Sequence, residues 1–257
     1  MAFVAACRPQ LILGSFLAFL FFLPELKNLR EKQNQKYLMV ALLPYVIIAA
    51  GLMFYNWTRF DSPFDFGSSY NLTTNDMTRR GFVFDRFFIG IFTYLFQFPN
   101  IQSVFPYLQY VEFNTNYIGE LTRESMTGGL LSCNPILYFS ILLPYLKRIK
   151  KHKTLISYLT FLILGILIMF IDIQCAGLLQ RYISDFAIFI FIGTTLILFS
   201  LYIQMKDKEV RKIFIYTVLF LCLIGILYNL SLFFLPDSDN IALTNPQLYS
   251  QFYRLFH

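Results

Sequence analysis

The sequence predicts an all-α integral membrane protein, with about six transmembrane helices and one long extracytoplasmic loop that contains an interfacial helix. Three features support this prediction: the composition, the long uncharged runs and the distribution of the lysines. Of the 257 residues, 57% are hydrophobic and 14% are charged, whereas about 25% are charged in an ordinary soluble domain. Aromatic residues make up 19%, and a water-soluble surface could not accommodate them without large apolar patches.

Six stretches are long and apolar enough to cross the hydrocarbon core of a bilayer, which takes about 20 residues of α-helix. A helix satisfies its backbone polar groups within the segment, as the water-free core demands. The first stretch is the shortest, and Pro9 suits its first turn while Arg8 can reach the headgroups. The predicted spans are about 9–26, 37–57, 126–146, 154–172, 186–205 and 213–235.

The lysines predict the orientation, because short cytoplasmic loops collect basic residues. All ten lysines lie in the segments 27–36, 147–153 and 206–212. These segments alternate with lysine-free segments, as a chain with six spans requires. We therefore expect both termini to be extracytoplasmic, with an extracytoplasmic loop at about 58–125.

The predicted extracytoplasmic loop includes an aromatic run that is too short to cross the bilayer. Residues 87–96 carry no charge and are followed by Pro99. Treating this run as a span would also break the alternation of the lysine segments. We therefore expect a helix in the membrane interface, with its rings at the depth of the headgroups.

The N-terminus indicates the C-terminal part of a longer protein, through a split gene or a truncated reading frame. In the predicted orientation, the first span enters from the outer side with no basic segment before it. Residues 1–7 also look like the last turns of an apolar helix that ends at Arg8-Pro9. The chain itself is predicted to be one membrane domain over residues 1–257.

The charges and the cysteines exclude several classes of function. The net charge of +6 comes largely from lysine clusters between apolar runs, which is typical of membrane loops and not of a nucleic-acid-binding face. The four cysteines form no CxxC, and the sequence has no HExxH, P-loop or GxSxG motif. We expect no nucleic-acid partner, no metal and no cofactor, and no motif assigns a catalytic residue.

The extracytoplasmic loop contains the first group of candidate site residues. It holds seven of the fifteen acidic residues, and carboxylates can act as general bases while guanidinium groups bind phosphates. The part directly after the second span contains Arg59, Asp61 and Asp65. Ser62-Pro63 predicts a turn there, and Gly67 predicts a tight bend. Any one of these charged residues could also belong to an ordinary solvated loop.

The second group lies at the outer end of the fifth span. Arg181 could bind a lipid phosphate or a phosphorylated substrate. Ser184 is a suitable N-cap for the helix, and Asp185 in its first turn would interact favourably with the helix dipole. The alternative is an interfacial arginine that pairs with Asp185 four residues later. The predicted substrate-binding residues are therefore Arg59, Asp61, Asp65, Arg181 and Asp185.

These two groups and two further motifs carry a resemblance to a known family. The motifs are Arg8-Pro9, the stretch 59–67 with Tyr70 and Leu72 after it, the stretch 181–186, and Asn245-Pro246 with the aromatic residues that follow. Over nearly its whole length, the chain resembles the C-terminal half of bacterial multi-pass membrane proteins related to GT-C glycosyltransferases. That superfamily includes protein O-mannosyltransferases and the aminoarabinose transferases of lipid A.

The resemblance implies a glycosyltransferase of the cell envelope that uses a polyprenyl-phosphate-linked sugar at the outer face of the bacterial cytoplasmic membrane. In that superfamily the catalytic carboxylate belongs to the first outer loop, near the N-terminus of the full protein. We expect this chain to lack that region, so no catalytic residue is carried over. The implied partners are the lipid bilayer, the polyprenyl-phosphate sugar and a separately encoded N-terminal half.

Two other classes of function stay open. A non-enzymatic protein for transport or assembly of lipid-linked glycans would have polar residues or Gly and Pro breaks deep within several spans. The spans 186–205 and 213–235 carry no charge, which favours chemistry at the outer face over transport. An inactive fragment is the other alternative.

Overall fold

The structure is a computed structural model that describes residues 1–67, 70, 82–111, 117–118, 121–122, 124, 126–148, 152–235 and 241–256. The chain divides into two compact units, Met1–Gly81 and Phe82–His257. Helices make up most of the described part of each unit, which confirms the all-α class. One membrane domain over residues 1–257 stays a prediction.

The first unit begins with short helices and ends with a long one. Its α-helices are α1 (Ala2–Cys7), α2 (Leu17–Phe21), α3 (Leu23–Lys27) and α4 (Lys32–Phe60), with a 3₁₀ helix, Pro9–Phe16, between α1 and α2. Pro9 stands in the first turn of the 3₁₀ helix, as the sequence predicts. The hydroxyls of Ser15 and Tyr45 are 2.6 Å apart and connect this helix to α4. The predicted span 9–26 is therefore a succession of helical segments.

Helix α4 covers the predicted span 37–57 and extends beyond it at both ends. Asn56 is its buried residue, and the Asn56 side-chain amide donates to the Pro63 carbonyl over 3.4 Å. Most of the apolar side chains of α4 are exposed within the first unit. An apolar helix of 29 residues with so little buried surface requires lipid or further protein around it.

The second unit contains longer helices joined by short irregular segments. Its α-helices are α5 (Asp85–Ile91), α6 (Leu130–Cys133), α7 (His152–Ile171), α8 (Ile183–Gln204), α9 (Lys208–Leu232), α10 (Ile241–Thr244) and α11 (Pro246–Phe256). The π-helical turns Phe92–Phe96 and Asp172–Ala176 prolong α5 and α7. A 3₁₀ helix, Pro135–Arg148, follows α6, and another, Gln180–Tyr182, leads directly into α8.

Two short antiparallel ribbons are the strands that the structure describes. The pairs are β1 (Asn100–Ile101) with β2 (Leu108–Gln109), and β3 (Tyr117–Ile118) with β4 (Leu121–Thr122). Each strand has two residues, so the ribbons shape the connection between α5 and α6 without changing the helical character of the unit.

Among the described residues, four helical segments are long and apolar enough to cross a membrane. They are Lys32–Phe60, Leu155–Ala176, Gln180–Gln204 and Lys208–Leu232. They coincide with four of the predicted spans, and they are typical of a multi-pass membrane protein. The predicted span 126–146 is instead α6 followed by a long 3₁₀ helix. Six spans therefore stay a prediction.

Helices α7 and α8 pack closely because small residues stand where they meet. A Cβ atom on Gly165 of α7 would lie 2.7 Å from Cγ1 of Ile190. A Cβ atom on Gly193 of α8 would lie 3.0 Å from Cδ2 of Leu162. Small residues at such positions let two apolar helices approach each other, as they do in membrane proteins generally.

The predicted interfacial helix is a helix with one buried and one exposed face. It comprises α5 and the π-helical turn that follows, so residues 87–96 are helical as predicted. Arg86 and Tyr94 are buried, whereas more than half of the surface of Phe88 and Phe92 is exposed. Its location in the membrane interface stays a prediction, and the exposed phenylalanines are of the type found on the apolar face of an interfacial helix.

Candidate binding cavity

A cavity of about 280 Å³, lined by apolar residues and by several neutral polar side chains, lies in the second unit where α6, the start of α8 and the end of α9 meet, and we call it the polar cavity. Each of these three helices, counting Asn134 at the end of α6, contributes at least one polar side chain to the lining. The residues that line it are Gly128, Gly129, Leu130, Cys133, Asn134, Gln180, Ile183, Ser184, Ala187, Phe191, Tyr228, Asn229 and Leu232.

A hydrogen-bond network connects the walls of the cavity. The Gln180 side-chain oxygen accepts from the Thr127 backbone amide over 3.2 Å. The hydroxyls of Thr127 and Tyr228 are 2.8 Å apart. The Tyr228 hydroxyl also contacts the Cys133 thiol and the Gln180 side chain. The network therefore joins α9 to the start of α8 and to α6.

A pair of amides forms the wall on the side of α9. Nδ2 of Asn229 donates to Oδ1 of Asn134 over 3.2 Å and to the Gly225 carbonyl over 2.7 Å. Nδ2 of Asn134 donates to the Leu130 carbonyl over 3.2 Å. Gly225 permits this arrangement, since a Cβ atom there would lie 2.9 Å from Oδ1 of Asn134.

The cavity has many neutral hydrogen-bonding groups and no formal charge. None of the described residues that line it is Asp, Glu, Lys, Arg or His. Amide and hydroxyl groups with an adjacent ring, here that of Phe191, suit an uncharged ligand rich in hydroxyl or amide groups. A general base for acyl or glycosyl transfer would have to come from outside these lining residues.

An apolar cleft of about 430 Å³ adjoins the cavity. The cleft and the cavity share Asn134, Phe191 and Asn229 as lining residues. The other residues that line the cleft are Ile136, Cys222, Gly225, Ile226 and Leu230. A polar cavity that continues into an apolar cleft fits an amphiphilic ligand, with its polar part in the former and its hydrocarbon part in the latter.

The first predicted group lies in the first unit, with Arg59 in the last turn of α4 and Asp61 and Asp65 in the turn that follows. Asp61 has a left-handed backbone (φ 55°) that ends α4, and Nη1 of Arg59 donates to the Tyr55 hydroxyl over 2.8 Å. The carboxylate of Asp65 accepts from the Gly67 amide over 2.8 Å, and Gly67 has φ of 77°. The predicted turn and bend are therefore confirmed, and Arg59 and Asp65 make local contacts within them.

Six other charged residues of the predicted extracytoplasmic loop lie outside the described part of the chain. They are Asp76, Arg79, Arg80, Glu112, Glu120 and Arg123. The second predicted group, Arg181 and Asp185, belongs to the second compact unit. Because the two groups belong to different units, each is described by itself.

The second predicted group lies beside the cavity without lining it. Arg181 is exposed, with its guanidinium 5.5 Å from the centroid of the Tyr182 ring, and Asp185 is buried in the first turn of α8. The predicted N-cap at Ser184 is wrong, because the helix already begins at Ile183 after a 3₁₀ turn. The Ser184 hydroxyl instead donates to the Arg181 carbonyl over 2.7 Å.

The sequence-based predictions did not include Thr127, whose hydroxyl contacts that of Tyr228, or the cavity-lining residues Asn134, Tyr228 and Asn229. One signal could have found the last two, since they interrupt an otherwise apolar run within a predicted span. A polar side chain at such a position marks a contact or a ligand site by default. Asn134 carries the same signal, because it lies within the predicted span 126–146, whereas Thr127 stands at the start of that span.

Another buried polar group holds α5 against the end of α7. Nη1 of Arg86 donates to the Gln174 carbonyl over 2.9 Å, and the Tyr94 hydroxyl donates to the Gly177 carbonyl over 2.8 Å. Asp172 is fully buried next to them in the chain. Buried polar groups of this kind must be hydrogen-bonded to be tolerated, so this group fixes the ends of the two helices.

No protein-family model, no curated protein and no solved structure matches the chain. The fold and the cavity define its class: an all-α protein with several candidate membrane spans and a neutral polar cavity beside an apolar cleft.

Proposed function

We propose that the chain is the C-terminal membrane portion of a GT-C-like glycosyltransferase, which binds a polyprenyl-phosphate-linked sugar at the outer face of the bacterial cytoplasmic membrane. The observation that carries this proposal is the neutral cavity continued by an apolar cleft. Sugar hydroxyls pair well with amide and hydroxyl side chains, and a ring such as Phe191 covers the apolar face of a sugar. The cleft offers the polyprenyl chain an apolar surface.

The six-span arrangement is part of the proposal. A 3₁₀ helix rises about 2.0 Å per residue, so the 14 residues Pro135–Arg148 extend about 28 Å, close to the roughly 30 Å of a hydrocarbon core. The helical segments between Pro9 and Lys27 would together form the remaining span. With both runs as spans, the three lysine segments share one side of the membrane, which we infer to be the cytoplasm.

The cavity lacks the charges that glycosyl transfer from a lipid phosphate requires, so we assign those charges to other parts of the protein. Arg181 directly follows Gln180, which lines the cavity, and it would bind the donor phosphate at the mouth. The turn with Arg59, Asp61 and Asp65 would shape the outer surface. A separately encoded N-terminal half would supply the catalytic carboxylate.

A binding experiment tests the role of the cavity. In lipid nanodiscs, the full chain is expected to bind undecaprenyl phosphate carrying one hexose more tightly than undecaprenyl phosphate alone. Ala187→Phe puts a ring into the cavity and should weaken binding of the sugar-linked lipid at least tenfold. Ala50→Phe adds the same ring to α4 and serves as the matched control. Equal affinities for the two lipids would contradict the proposed sugar site.

A transfer experiment tests the predicted charged residues. With the N-terminal half supplied, Arg181→Ala and Asp65→Ala are each expected to reduce sugar transfer while the amount of protein in the membrane is unchanged. Undiminished transfer would assign both residues to ordinary interfacial roles. Binding of the donor without transfer in the complete system would favour a non-enzymatic carrier or assembly subunit. If the complete system neither binds the donor nor transfers the sugar, the result would favour an inactive fragment.

A further inference from the structure

A second apolar cleft lies between α8 and α9, nearer the end of α8 and the start of α9, and it adjoins the first cleft at Ile136, Phe191 and Cys222. Its volume is about 460 Å³, and its lining is almost wholly apolar. Residues one helical turn apart on the two helices face it, which is the pattern of two helix faces opposed across a gap. The lining residues are Ile136, Phe191, Thr195, Leu198, Phe199, Tyr202, Phe214, Ile215, Val218, Leu219 and Cys222.

The length of this cleft matches one leaflet of a bilayer. On α8 it runs from Phe191 to Tyr202, which is about 16 Å at roughly 1.5 Å per helical residue. The hydrocarbon core of a bilayer is about 30 Å thick, so a single leaflet contributes about half of that. The cleft therefore has room for the acyl chain of a lipid from one leaflet.

A basic segment follows the cleft where α8 passes into α9. It comprises residues 205–212, which are the connection 205–207 and the first turn of α9, and we call it the basic loop; its Lys206, Lys208 and Lys212 are exposed. One of its two acids, Asp207, caps α9, where Oδ1 accepts from the Glu209 amide over 2.8 Å and from the Val210 amide over 3.3 Å. The three lysines are therefore exposed, whereas the carboxylate of Asp207 accepts hydrogen bonds from the first turn of α9.

Arg211 connects this loop to the cleft itself. Nη2 of Arg211 donates to the Met205 carbonyl over 2.6 Å, and its guanidinium lies 4.9 Å from the centroid of the Tyr202 ring, which lines the cleft. Nε of Arg211 is buried and has no hydrogen-bond partner among the described residues. An anionic headgroup at this position would therefore meet the guanidinium of Arg211 as well as the exposed lysines.

We propose that α8 and α9 bind one anionic phospholipid, with an acyl chain in this cleft and its phosphate at the basic loop 205–212. The charge of the loop selects an anionic headgroup, and the apolar walls exclude a polar occupant. This cleft shares Ile136, Phe191 and Cys222 with the apolar cleft described above, but the proposal rests on the basic residues beside it and not on the proposed sugar site.

Native mass spectrometry of the full chain, purified and stripped of lipid, tests the proposal. Phosphatidylglycerol is expected to bind at least tenfold more tightly than phosphatidylcholine with the same acyl chains. Replacing Lys206, Lys208 and Lys212 by Gln should abolish this preference. The matched control replaces Lys27, Lys32 and Lys36 by Gln, which removes the same charge from the first unit and should leave the preference unchanged.

A second pair of variants tests the acyl-chain site. Ile215→Trp fills the cleft and is expected to lower phosphatidylglycerol binding at least tenfold. Ile224→Trp makes the same change on the same helix, and Ile224 has almost the same exposure as Ile215, 37% against 38%, but it does not line this cleft. Equal binding by the two variants, or no preference for phosphatidylglycerol, would overturn the proposal. So would a dimer of the chain that only Ile215→Trp dissociates, because a second copy would then occupy the cleft.

Discussion

The side-chain amide of Asn229 donates a hydrogen bond to the side-chain oxygen of Asn134 over 3.2 Å, and this contact joins α9 to the residue that ends α6. Most apolar side chains of α9 are exposed within the unit, and Gly225 is its buried residue. The C-terminal end of α9 is therefore attached through polar contacts more than through apolar packing. In hydrocarbon such contacts have few competitors, since water is absent.

The first prediction concerns the strength of this amide pair. Asn134→Ala and Asn229→Ala should each destabilise the protein, by about 1 kcal/mol. The double variant should lose less than the sum of the two, with a coupling energy of about 0.6 kcal/mol, the average for such contacts in membranes. Unfolding in mixed detergent micelles measures these free energies.

A second double-mutant cycle provides the control for the amide pair. Ser231 lies close to Asn229 in α9, but its hydroxyl donates to the Leu227 carbonyl of the same helix. Ser231→Ala and Asn134→Ala should therefore be additive within error. A coupling between these two as large as that between the amides would mean that the cycle reports a general loosening of α9.

The long helices could be predicted from the sequence, and the broken ones could not. Helices α4, α7, α8 and α9 coincide with uncharged runs because a spanning helix must be apolar along its whole length. The same apolar composition suits a 3₁₀ helix, so the pattern does not distinguish Pro135–Arg148 from an α-helix. Only the packing of the chain decides between the two hydrogen-bonding patterns.

The polar cavity was beyond sequence reasoning for a different reason. Its contacts join residues far apart along the chain, such as Thr127 with Tyr228, 101 positions away. No local pattern encodes such a distance. The second charged group lies beside the cavity, because Gln180 and Ser184 of the same stretch line it. The sequence-based prediction chose the exposed Arg181 and the buried Asp185 because they are the charged residues of this stretch.

The second prediction concerns a glycine in the cavity wall. A Cβ atom on Gly129 would lie 2.6 Å from the Leu95 carbonyl carbon and 2.7 Å from the Gln97 backbone nitrogen. Backbone atoms cannot move aside as a side chain can, so Gly129→Ala should destabilise the protein by about 2 kcal/mol. Detergent unfolding followed by circular dichroism measures the change.

Another glycine of the chain is the control for this substitution. Gly51 lies within α4, and a Cβ atom there would meet nothing within 4 Å. Gly51→Ala should leave the stability unchanged or raise it by up to about 1 kcal/mol, because alanine favours a helix over glycine. If both substitutions destabilise equally, the close approach at Gly129 does not explain its effect.

The third prediction concerns Tyr94, whose hydroxyl donates to the Gly177 carbonyl over 2.8 Å and accepts from the Leu179 amide over 3.3 Å. Tyr94→Phe leaves both backbone groups without this partner in a fully buried site. The expected loss is about 1 to 3 kcal/mol at pH 8. Tyr70→Phe, at an exposed ring, should cost much less.

The advantage of Tyr94 over phenylalanine should also depend on pH. Burial raises the pKa of the Tyr94 phenol far above its ordinary value of 10, and the nearby carboxylate of Asp172 raises it further. The folded protein then keeps a proton that the unfolded chain releases above pH 10, so this contribution to stability is complete below pH 10 and falls as the pH rises. The difference in unfolding free energy between the wild type and Tyr94→Phe should shrink by about 1.4 kcal/mol per pH unit above 10. A difference that stays constant from pH 8 to pH 11 would show that the phenol reaches solvent and ionises in the folded state.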